Sequence, residues 1–358
     1  MPLQAQPSTR VVLSGARSVT HLVYAASWLR HVVAGLEAAG GPEGAVEVVV
    51  LDVGSGFGRA TVGEAEVREH LPQHPRLRVT TSPRDEHWRA SKGLDRVLLS
   101  IGVPGTRAWA RLFLGGRGRR PLVVVVDEGI GSFGNRRSRR EAYRRQGGSS
   151  ARAAVRAAVV SAGARALTDV HWSLYERTST TWRVREEVAA EFRRALSGSS
   201  PGAEHAVYLT QPWPDIGVMS ESVYLAHLRS VRDECAAIGV PLVLRPHPSE
   251  DVARYAGFEL LASPGPAELA REVVEATVVI GANSTALLNL AAVHGTRAVR
   301  VTAPELRGLE AGLTTRQRTL LDTFLPPASG VPGVGAALQQ VMRSPRRGGA
   351  APEEGRYG

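Results

Sequence analysis

The chain has 358 residues, 43% of them apolar, which is enough for two globular domains with cores of their own. Cys235 is the only cysteine, so an internal disulfide and a cysteine-based zinc site are excluded. No apolar run approaches the roughly 20 residues that span a bilayer, and the first residues lack the basic and apolar pattern of a signal peptide. We therefore expect a cytoplasmic protein.

The formal net charge of +10 rests on arginine, because Lys92 is the only lysine. The arginines cluster on both sides of one apolar segment, residues 121–129: Arg117, Arg119 and Arg120 before it, and Arg136, Arg137, Arg139, Arg140, Arg144 and Arg145 after it. A solvated loop and a composition typical of GC-rich coding would account for this cluster. A surface that binds an acidic glycan, or anionic lipid headgroups at the inner face of the plasma membrane, would also account for the arginine cluster.

Short apolar strands alternate with helical segments in the first half of the chain. This alternation predicts a parallel sheet covered by helices on both faces. Apolar spacing of three and four residues predicts a helix over 21–40, and we expect residues 151–196 to be mostly helical. The predicted strands are 10–15, 46–54, 95–102 and 121–129.

A second strand series begins after residues 197–205, a segment with the composition of a linker. Its predicted strands are 206–212, 240–248, 276–284 and 296–304. We therefore predict two domains, residues 1–198 and 199–343, followed by a disordered tail over 344–358. The fold class is α/β, with two Rossmann-like parallel-sheet domains that face a central cleft.

The linker contains Gly198, Ser200 and Gly202, the spacing of the nucleophile elbow of hydrolases. That turn has to follow a strand, and here a helical segment precedes it. We therefore reject a hydrolase. The glycines of residues 54–58 also follow a strand, but they lack the helix and later acid of a dinucleotide site, and we interpret them as a flexible loop.

Three predicted strands are followed directly by reactive or phosphate-binding groups. Asp127 and Glu128 end the first of these strands, before Gly129. Gly129, Gly131 and Gly134 match a dinucleotide fingerprint, but an arginine-rich stretch follows them, and two carboxylates would repel a pyrophosphate. A carboxylate beside another at a strand end has a raised pKa, which suits a general base; a loop acid that caps the turn is the plainer interpretation.

The other two groups follow strands of the second half. His247 lies between two prolines after residues 240–245, where an imidazole could donate to a departing phosphate or serve only as a structural turn. Asn283, Ser284 and Thr285 begin a predicted helix, where amides and hydroxyls could bind an anion or form an ordinary N-cap. A carboxylate opposite such a phosphate site is the arrangement for group transfer from a nucleotide-activated donor to a hydroxyl.

The order of these motifs resembles the bacterial sialyltransferases and polysialyltransferases, which have the GT-B fold. Those families carry an Asp/Glu-Asp/Glu-Gly motif, then His-Pro, then a Ser/Thr pair; here the motifs are residues 127–129, 247–248 and 283–285. The residues 210–212 also resemble the usual start of the second domain in these families. The layout is similar over roughly residues 8 to 330, but only the short motifs are specific.

The resemblance implies an inverting transfer of a nonulosonic acid from a CMP-activated donor to a glycan or glycoconjugate, as in the synthesis of cell-surface polysaccharides. It implies Asp127, or else Glu128, as the base. It further implies that His247 assists the leaving phosphate, which Ser284 and Thr285 bind. By position we add Asn283, Arg245, Pro248 and Gln211 on the donor side, and Gly129, Ser14 and Arg17 on the acceptor side.

The resemblance implies no cofactor besides the CMP-sugar co-substrate, and the chain contains no Asp-x-Asp triplet, so we expect no divalent metal. We expect an acceptor that could be acidic, and no nucleic acid. Three other functions stay open: a transferase for CDP-glycerol or another activated group, a UDP-sugar epimerase, and a non-catalytic protein that binds polyanions. An epimerase should show more acids and an arginine-rich UDP site in the second half, which we do not find.

Overall fold

The computed structural model describes residues 8–54, 56–57, 60–81, 84–91, 93–145, 149–198, 204–261 and 265–344. The chain divides into two compact units. Unit 1 comprises Met1–Glu176 and Arg185–Glu191, and unit 2 comprises Arg177–Val184 and Phe192–Gly358. The predicted boundary at residue 198 and the assignment of the domains to acceptor and donor stay predictions.

Unit 1 is built on a six-stranded parallel sheet in the order β5-β2-β1-β6-β7-β8. Counted along the chain, these six strands have the order 3-2-1-4-5-6, which is the Rossmann order. Two further strands, β3 and β4, form a separate antiparallel pair. The strands are β1 Thr9–Ser14, β2 Val46–Val50, β3 Gly56–Phe57, β4 Ala60–Thr61, β5 Leu77–Thr80, β6 Asp95–Ile101, β7 Leu122–Val126 and β8 Val170–Trp172.

β-Branched residues form the centre of this sheet because they pack well on a pleated surface that is buried on both faces. Val12 of β1 pairs with Val49 of β2 and with Leu98 of β6, and all three are fully buried. The helices up to the end of unit 1 are α1 Val19–Ala38, α2 Glu64–His70, α3 Thr106–Gly115, α4 Arg136–Arg145, α5 Ser150–Leu167 and α6 Glu186–Arg194.

Unit 2 contains a five-stranded parallel sheet in the order β12-β11-β13-β14-β15. Counted along the chain, this is the order 2-1-3-4-5, the second common doubly wound arrangement. The strands from Tyr175 onward are β9 Tyr175–Arg177, β10 Trp182–Val184, β11 Ala206–Leu209, β12 Leu242–Arg245, β13 Val278–Gly281, β14 Ala298–Thr302 and β15 Ser329–Gly330.

The helices of unit 2 pack against this sheet, and one core between sheet and helices includes Tyr208, Tyr224 and Leu338. They are α7 Glu221–Ala237, α8 Arg271–Val274, α9 Thr285–His294, α10 Arg307–Ala311, α11 Thr315–Phe324 and α12 Val334–Arg343. The predicted α/β fold class with two Rossmann-like parallel-sheet domains is thereby confirmed. No helix among the described residues is long and apolar enough to cross a membrane.

The elements differ from the predictions in two places. The arginine-rich stretch after Gly134 is a helix, α4, that packs along α5, and not a solvated loop. The segment 151–196 holds three short strands, β8 to β10, between its two helices. Residues 199–203 of the predicted linker, with Ser200 and Gly202, lie outside the described residues, as does the predicted tail after Ser344.

Candidate functional site

Ligands of doubly wound sheets bind beyond the carboxyl ends of the strands, at the point where the strand order reverses. In unit 1 this switch point lies between β1 and β6, and in unit 2 it lies between β11 and β13. Most of the predicted site residues follow β1 or β7 in unit 1, and β11, β12 or β13 in unit 2. The two sheets therefore place two groups of candidates on their carboxyl edges.

Asp127 follows β7 and is fully buried. Its carboxylate accepts hydrogen bonds from the Ser173 hydroxyl at 2.9 and 3.1 Å and from the Leu174 amide at 2.9 Å. The Nε2 atom of His171 lies 3.3 Å from Asp127 Oδ1. His171 belongs to β8, the neighbouring edge strand, and its side chain is 40% exposed. The exposed imidazole is thus in contact with the buried carboxylate.

Glu128 is exposed, unlike the acid before it. Its backbone amide donates to the Ser132 hydroxyl at 2.9 Å, while its side chain lies against the backbone of Gly102, just after β6. Loss of solvent around the carboxyl group raises the pKa of Glu128, and Arg17 and Arg139 oppose this shift. A raised pKa in an accessible carboxylate is a property of general bases.

The glycine after these acids is required by the backbone. Gly129 has φ of 112°, a conformation that other residues rarely adopt. Its carbonyl accepts from the Ser132 amide at 3.0 Å and begins a short 3-10 helix, Ile130–Phe133. The tight turn accounts for the glycine without any ligand, so its role toward an acceptor stays a prediction.

The loop after β1 carries the other two acceptor-side candidates. Ser14 is the last residue of β1. Its hydroxyl lies close to Gly105 at the start of α3, because a Cβ placed on Gly105 would be 2.8 Å from the Ser14 oxygen. Arg17 is exposed, and its amide donates to His21 Nδ1 at 3.1 Å. Its positive charge acts on Glu128. The structure thus brings Arg17 and Glu128 toward one edge of unit 1.

In unit 2, His247 lies in the loop after β12 and is held at several points. Its amide donates to Thr210 Oγ1 at 3.0 Å and to Glu250 Oε2 at 2.9 Å. Its Nδ1 accepts from the Ser249 amide at 3.2 Å and lies 2.7 Å from the Ser249 hydroxyl. Burial lowers the pKa of His247, so the imidazole is neutral at pH 7. Because Nδ1 is an acceptor, the proton of the neutral ring resides on Nε2.

Glu250 organises this loop, although the sequence analysis did not single it out. Its carboxylate is 1% exposed and accepts from the His247 amide, the Thr210 hydroxyl and the Tyr255 hydroxyl, the last at 2.6 Å. Arg254 Nη1 lies 3.8 Å from it. A buried acid that binds three donors fixes the backbone of His247 relative to the end of β11.

Three further donor-side candidates have contacts within unit 2. Gln211 Oε1 accepts from Trp213 Nε1 at 3.0 Å, and the Gln211 amide donates to the Tyr224 hydroxyl at 3.0 Å. Arg245 donates to the carbonyls of Leu261 at 3.3 Å and Gly265 at 2.6 Å, which ties down the next loop. Pro248 is exposed. Gln211 thus lies directly after β11, at the switch point.

The helix after β13 begins as the sequence predicts. Ser284 is the N-cap of α9, and its hydroxyl accepts from the Leu287 amide at 3.0 Å. Thr285 is the first helical residue, and both side chains are half-buried. The Asn283 side-chain oxygen is buried and has no hydrogen-bond partner among the described residues. The N-cap and a ligand site are compatible, because a serine oxygen has two lone pairs and a proton.

The predicted residues therefore form two groups, one on each sheet. Asp127, Glu128 and Arg17 share the edge of unit 1, and Gln211, His247 and Ser284 share the edge of unit 2. β11 lies between β12 and β13, so His247 and Ser284 flank the Thr210–Gln211 backbone and are not on adjacent strands.

The residues that the sequence analysis missed are His171, Thr210 and Glu250. Thr210 lies inside the predicted strand 206–212, and only the observed end of β11 at Leu209 shows that it follows the strand. His171 gave no local signal, because it contacts Asp127 through the pairing of β8 with β7. Glu250 gave none toward Thr210, because the two residues are 40 positions apart in the chain.

Comparisons with known proteins give structural similarity without sequence similarity. No protein-family model and no curated protein matches the chain. The glycosyltransferase of kitacinnamycin aligns over 94% of this chain and 90% of its own, with 11% identity and a TM-score of 0.45. The UDP-GlcNAc 2-epimerase from Methanocaldococcus jannaschii aligns over 95% and 93%, with 8% identity and a TM-score of 0.44.

The glycosyltransferase SnogD from Streptomyces nogalater aligns over 95% of each chain, with 13% identity and a TM-score of 0.37. Similarity at this level carries no argument about activity. The fold assignment rests on the strand orders of the two sheets, and the function rests on the site residues.

Proposed function

We propose that this protein is an inverting glycosyltransferase that moves a sialic-acid-like sugar from a CMP-activated donor to a glycan hydroxyl. The observation that carries the proposal is the carboxyl edge of unit 2. There the amide end of α9, the hydroxyl of Ser284 and the Nε2 proton of His247 follow the two strands that flank β11. Donors on this edge suit the phosphate of a nucleotide.

The reaction needs little beyond charge stabilisation and one proton acceptor. The acceptor oxygen forms a bond to the anomeric carbon while the bond from that carbon to the phosphate oxygen breaks, and CMP leaves with the electron pair. Negative charge then develops on the phosphate, where His247 and the α9 amides stabilise it. The proton of the acceptor hydroxyl passes to a base on unit 1.

We assign the base to Asp127 together with His171. Asp127 is implied by the resemblance to sialyltransferases, but its carboxylate is buried and its oxygens accept from Ser173 and Leu174. His171 is exposed and contacts Asp127 Oδ1 through Nε2. In this assignment His171 takes the proton on its other ring nitrogen, and Asp127 orients the ring and balances its charge, as a carboxylate does in a catalytic triad.

Glu128 is the competing base, and a specific observation favours it. Glu128 is an exposed residue, and the loss of solvent around its carboxyl group raises the pKa of that group. A single accessible carboxylate would accept the proton without help from His171. The two assignments predict different effects of the same substitutions.

The test is the release of CMP from CMP-N-acetylneuraminic acid with lactose, sialyllactose or oligosialic acid as acceptor. We expect Asp127→Asn and His171→Gln each to lower kcat by about a hundredfold or more, with the donor KM unchanged. Glu69→Gln, at an exposed acid on α2, is the matched control and should retain full activity.

A different pattern would change the assignment. Loss of activity in Glu128→Gln but not in His171→Gln would make Glu128 the base. Release of UDP from a UDP-sugar, or of CMP from CDP-glycerol with transfer of glycerol phosphate to the acceptor, without any release of CMP from CMP-N-acetylneuraminic acid, would contradict the sialyltransferase proposal and favour an epimerase or CDP-glycerol transferase.

A further inference from the structure

The helix pair of α4 and α5 concentrates the charge of the protein. Residues 136–167 contain nine arginines and one acid, Glu141, which gives a formal charge of +8 out of +10 for the chain. No acid occurs in α5. The excess charge therefore belongs to one helix pair of unit 1, and we call the exposed side of this pair the α4–α5 surface.

Some of these arginines hold the two helices together. Arg139 donates to the hydroxyl of the buried Ser161 at 3.1 Å and Arg156 stacks over Tyr143 at 4.3 Å, so both join α4 to α5. Arg144 pairs with Glu141 within α4 at 3.3 Å. These contacts leave the remaining arginines unexplained.

Four arginines have no such contact. Within the described part of the chain they are exposed and form no salt bridge: Arg136, Arg137, Arg140 and Arg152. Exposed arginines without a counter-charge repel one another, so these four add nothing to the stability of the fold. A negatively charged partner would neutralise them.

The outer face of α5 adds two large apolar side chains. Val155 is 64% exposed and Val159 is 61% exposed. With Arg152 and Arg156 they occupy positions i, i+3, i+4 and i+7, which form one stripe of a helix. Ala153, Ala157 and Ser161 form the buried face. The exposed stripe thus alternates arginine with valine.

We propose that the α4–α5 surface binds the headgroup region of an anionic lipid bilayer. The arginines contact the lipid phosphates, and Val155 and Val159 insert below them, as in helices that lie in the plane of a membrane. A soluble polyanion would use the arginines but would leave both valines in water. The valines are therefore the feature that selects a bilayer.

The position of the surface links it to the candidate site of unit 1. α4 begins seven residues after Gly129, and the charge of Arg139 acts on Glu128. A bilayer bound here would lie beside the acidic strand end. The binding itself does not depend on the proposed transferase activity.

The test is sedimentation of the full-length protein with vesicles of phosphatidylcholine, with or without 30 mol% phosphatidylglycerol. We expect binding only to the anionic vesicles and release by added salt. Substitution of Arg136, Arg137, Arg140 and Arg152 by Gln should weaken binding by about tenfold or more. Val155→Ser with Val159→Ser should weaken it by about fivefold.

The matched controls lie in unit 2. Four exposed arginines serve for charge: Arg229, Arg307, Arg318 and Arg343. Val223→Ser with Val252→Ser serves for apolar exposure. These controls should bind anionic vesicles nearly as the unchanged protein does, and thermal melts of all variants check that folding is intact.

Three results would overturn the proposal. The first is no binding of the unchanged protein to anionic vesicles. The second is equal weakening by the unit 2 arginine control, which would make the effect one of total charge. The third is unchanged vesicle binding in the Val155 and Val159 variant together with tight, arginine-dependent binding of heparin or DNA, which would assign the surface to a soluble polyanion.

Discussion

Two adjacent acids at the end of β7 have opposite environments. Asp127 is buried and accepts three hydrogen bonds, while Glu128 is exposed and lies over Gly102. The difference follows from their contacts, because Asp127 packs against Ser173 and Leu174 after β8, whereas Glu128 lies beside the loop after β6. Gly102 therefore offers a way to disturb Glu128 without touching either acid.

We predict that Gly102→Ala displaces Glu128. A Cβ at Gly102 would lie 2.9 Å from the Cβ of Glu128 and closer still to its carboxylate. If Glu128 takes part in transfer, CMP release should fall by about tenfold or more, beyond the loss of stability of about 1 kcal/mol that a positive φ at alanine causes. Steady-state kinetics and urea unfolding measure the two effects.

Gly93→Ala is the matched control for this prediction. Gly93 also has a positive φ, 77°, but nothing lies within 4 Å of its added Cβ. It should lose similar stability and keep its activity. Equal activity in both variants would show that Glu128 does not act in the reaction.

Single buried histidines determine how the free energy of unfolding changes at acid pH. His227 on α7 is 8% exposed, lies 3.0 Å from the Tyr208 hydroxyl, and has its pKa lowered by burial to about 4. Between pH 6.5 and 4 the unfolded chain binds a proton that the folded chain excludes, so stability falls as the pH falls. His21 and His294, also with pKa values of about 4, act in the same direction.

We predict that His227→Gln flattens this pH dependence. Between pH 7 and pH 5 the unfolding free energy of the variant should decrease by about 2 kcal/mol less than that of the unchanged protein. Denaturant unfolding at the two pH values measures the difference. Parallel losses in both proteins would mean that His227 is protonated in the folded state.

At the scale of elements, the N-terminus of α9 combines a structural and a binding role. Ser284→Ala removes the hydrogen bond to the Leu287 amide, which should cost about 1 kcal/mol of stability. If the hydroxyl also binds phosphate, the affinity for CMP should fall by about tenfold. Calorimetry of CMP binding measures this loss.

Thr314→Ala is the matched control for that helix start. Thr314 is the N-cap of α11 and accepts from the Gln317 amide at 3.2 Å. Its loss should cost similar stability and leave CMP affinity unchanged. If Ser284→Ala binds CMP as tightly as this control, the serine is an N-cap and nothing more.

The sequence predicts the elements that have strong local signals. The valine run Val123–Val126 and the Ser-Thr start of α9 are predicted to within a few residues of their observed positions. β-Branched runs and helix caps depend on residues that are neighbours in the sequence. β8 is only three residues long and mostly exposed, so it shows no pattern. α4 has almost no apolar residue, and its helix depends on packing against α5.

At the scale of the whole molecule, the sequence predicts two parallel sheets but not their strand orders. Those orders, 3-2-1-4-5-6 and 2-1-3-4-5, depend on long-range pairing. They place Thr210 and Gln211 at a switch point between His247 and Ser284. The contacts of Asp127 with His171 and of Glu250 with Thr210 likewise follow from long-range packing, which no local motif encodes.

The net charge of the molecule is distributed unevenly along the chain. Eight of the ten net positive charges belong to residues 136–167, and the rest of the chain is nearly neutral. The clustering was visible in the sequence, whereas the valine stripe on α5 required the helix to be placed. Electrostatic effects of salt should therefore be concentrated on this one surface of unit 1.

The central claim is a CMP site on unit 2, and nucleotide binding tests it most directly because no acceptor is needed. The measurement is thermal stabilisation of the full-length protein by CMP, CDP, UDP and NAD, with His247→Ala beside the unchanged protein. We predict stabilisation by CMP that His247→Ala weakens. Stabilisation by UDP or CDP without CMP, or by none of the four, would contradict the claim.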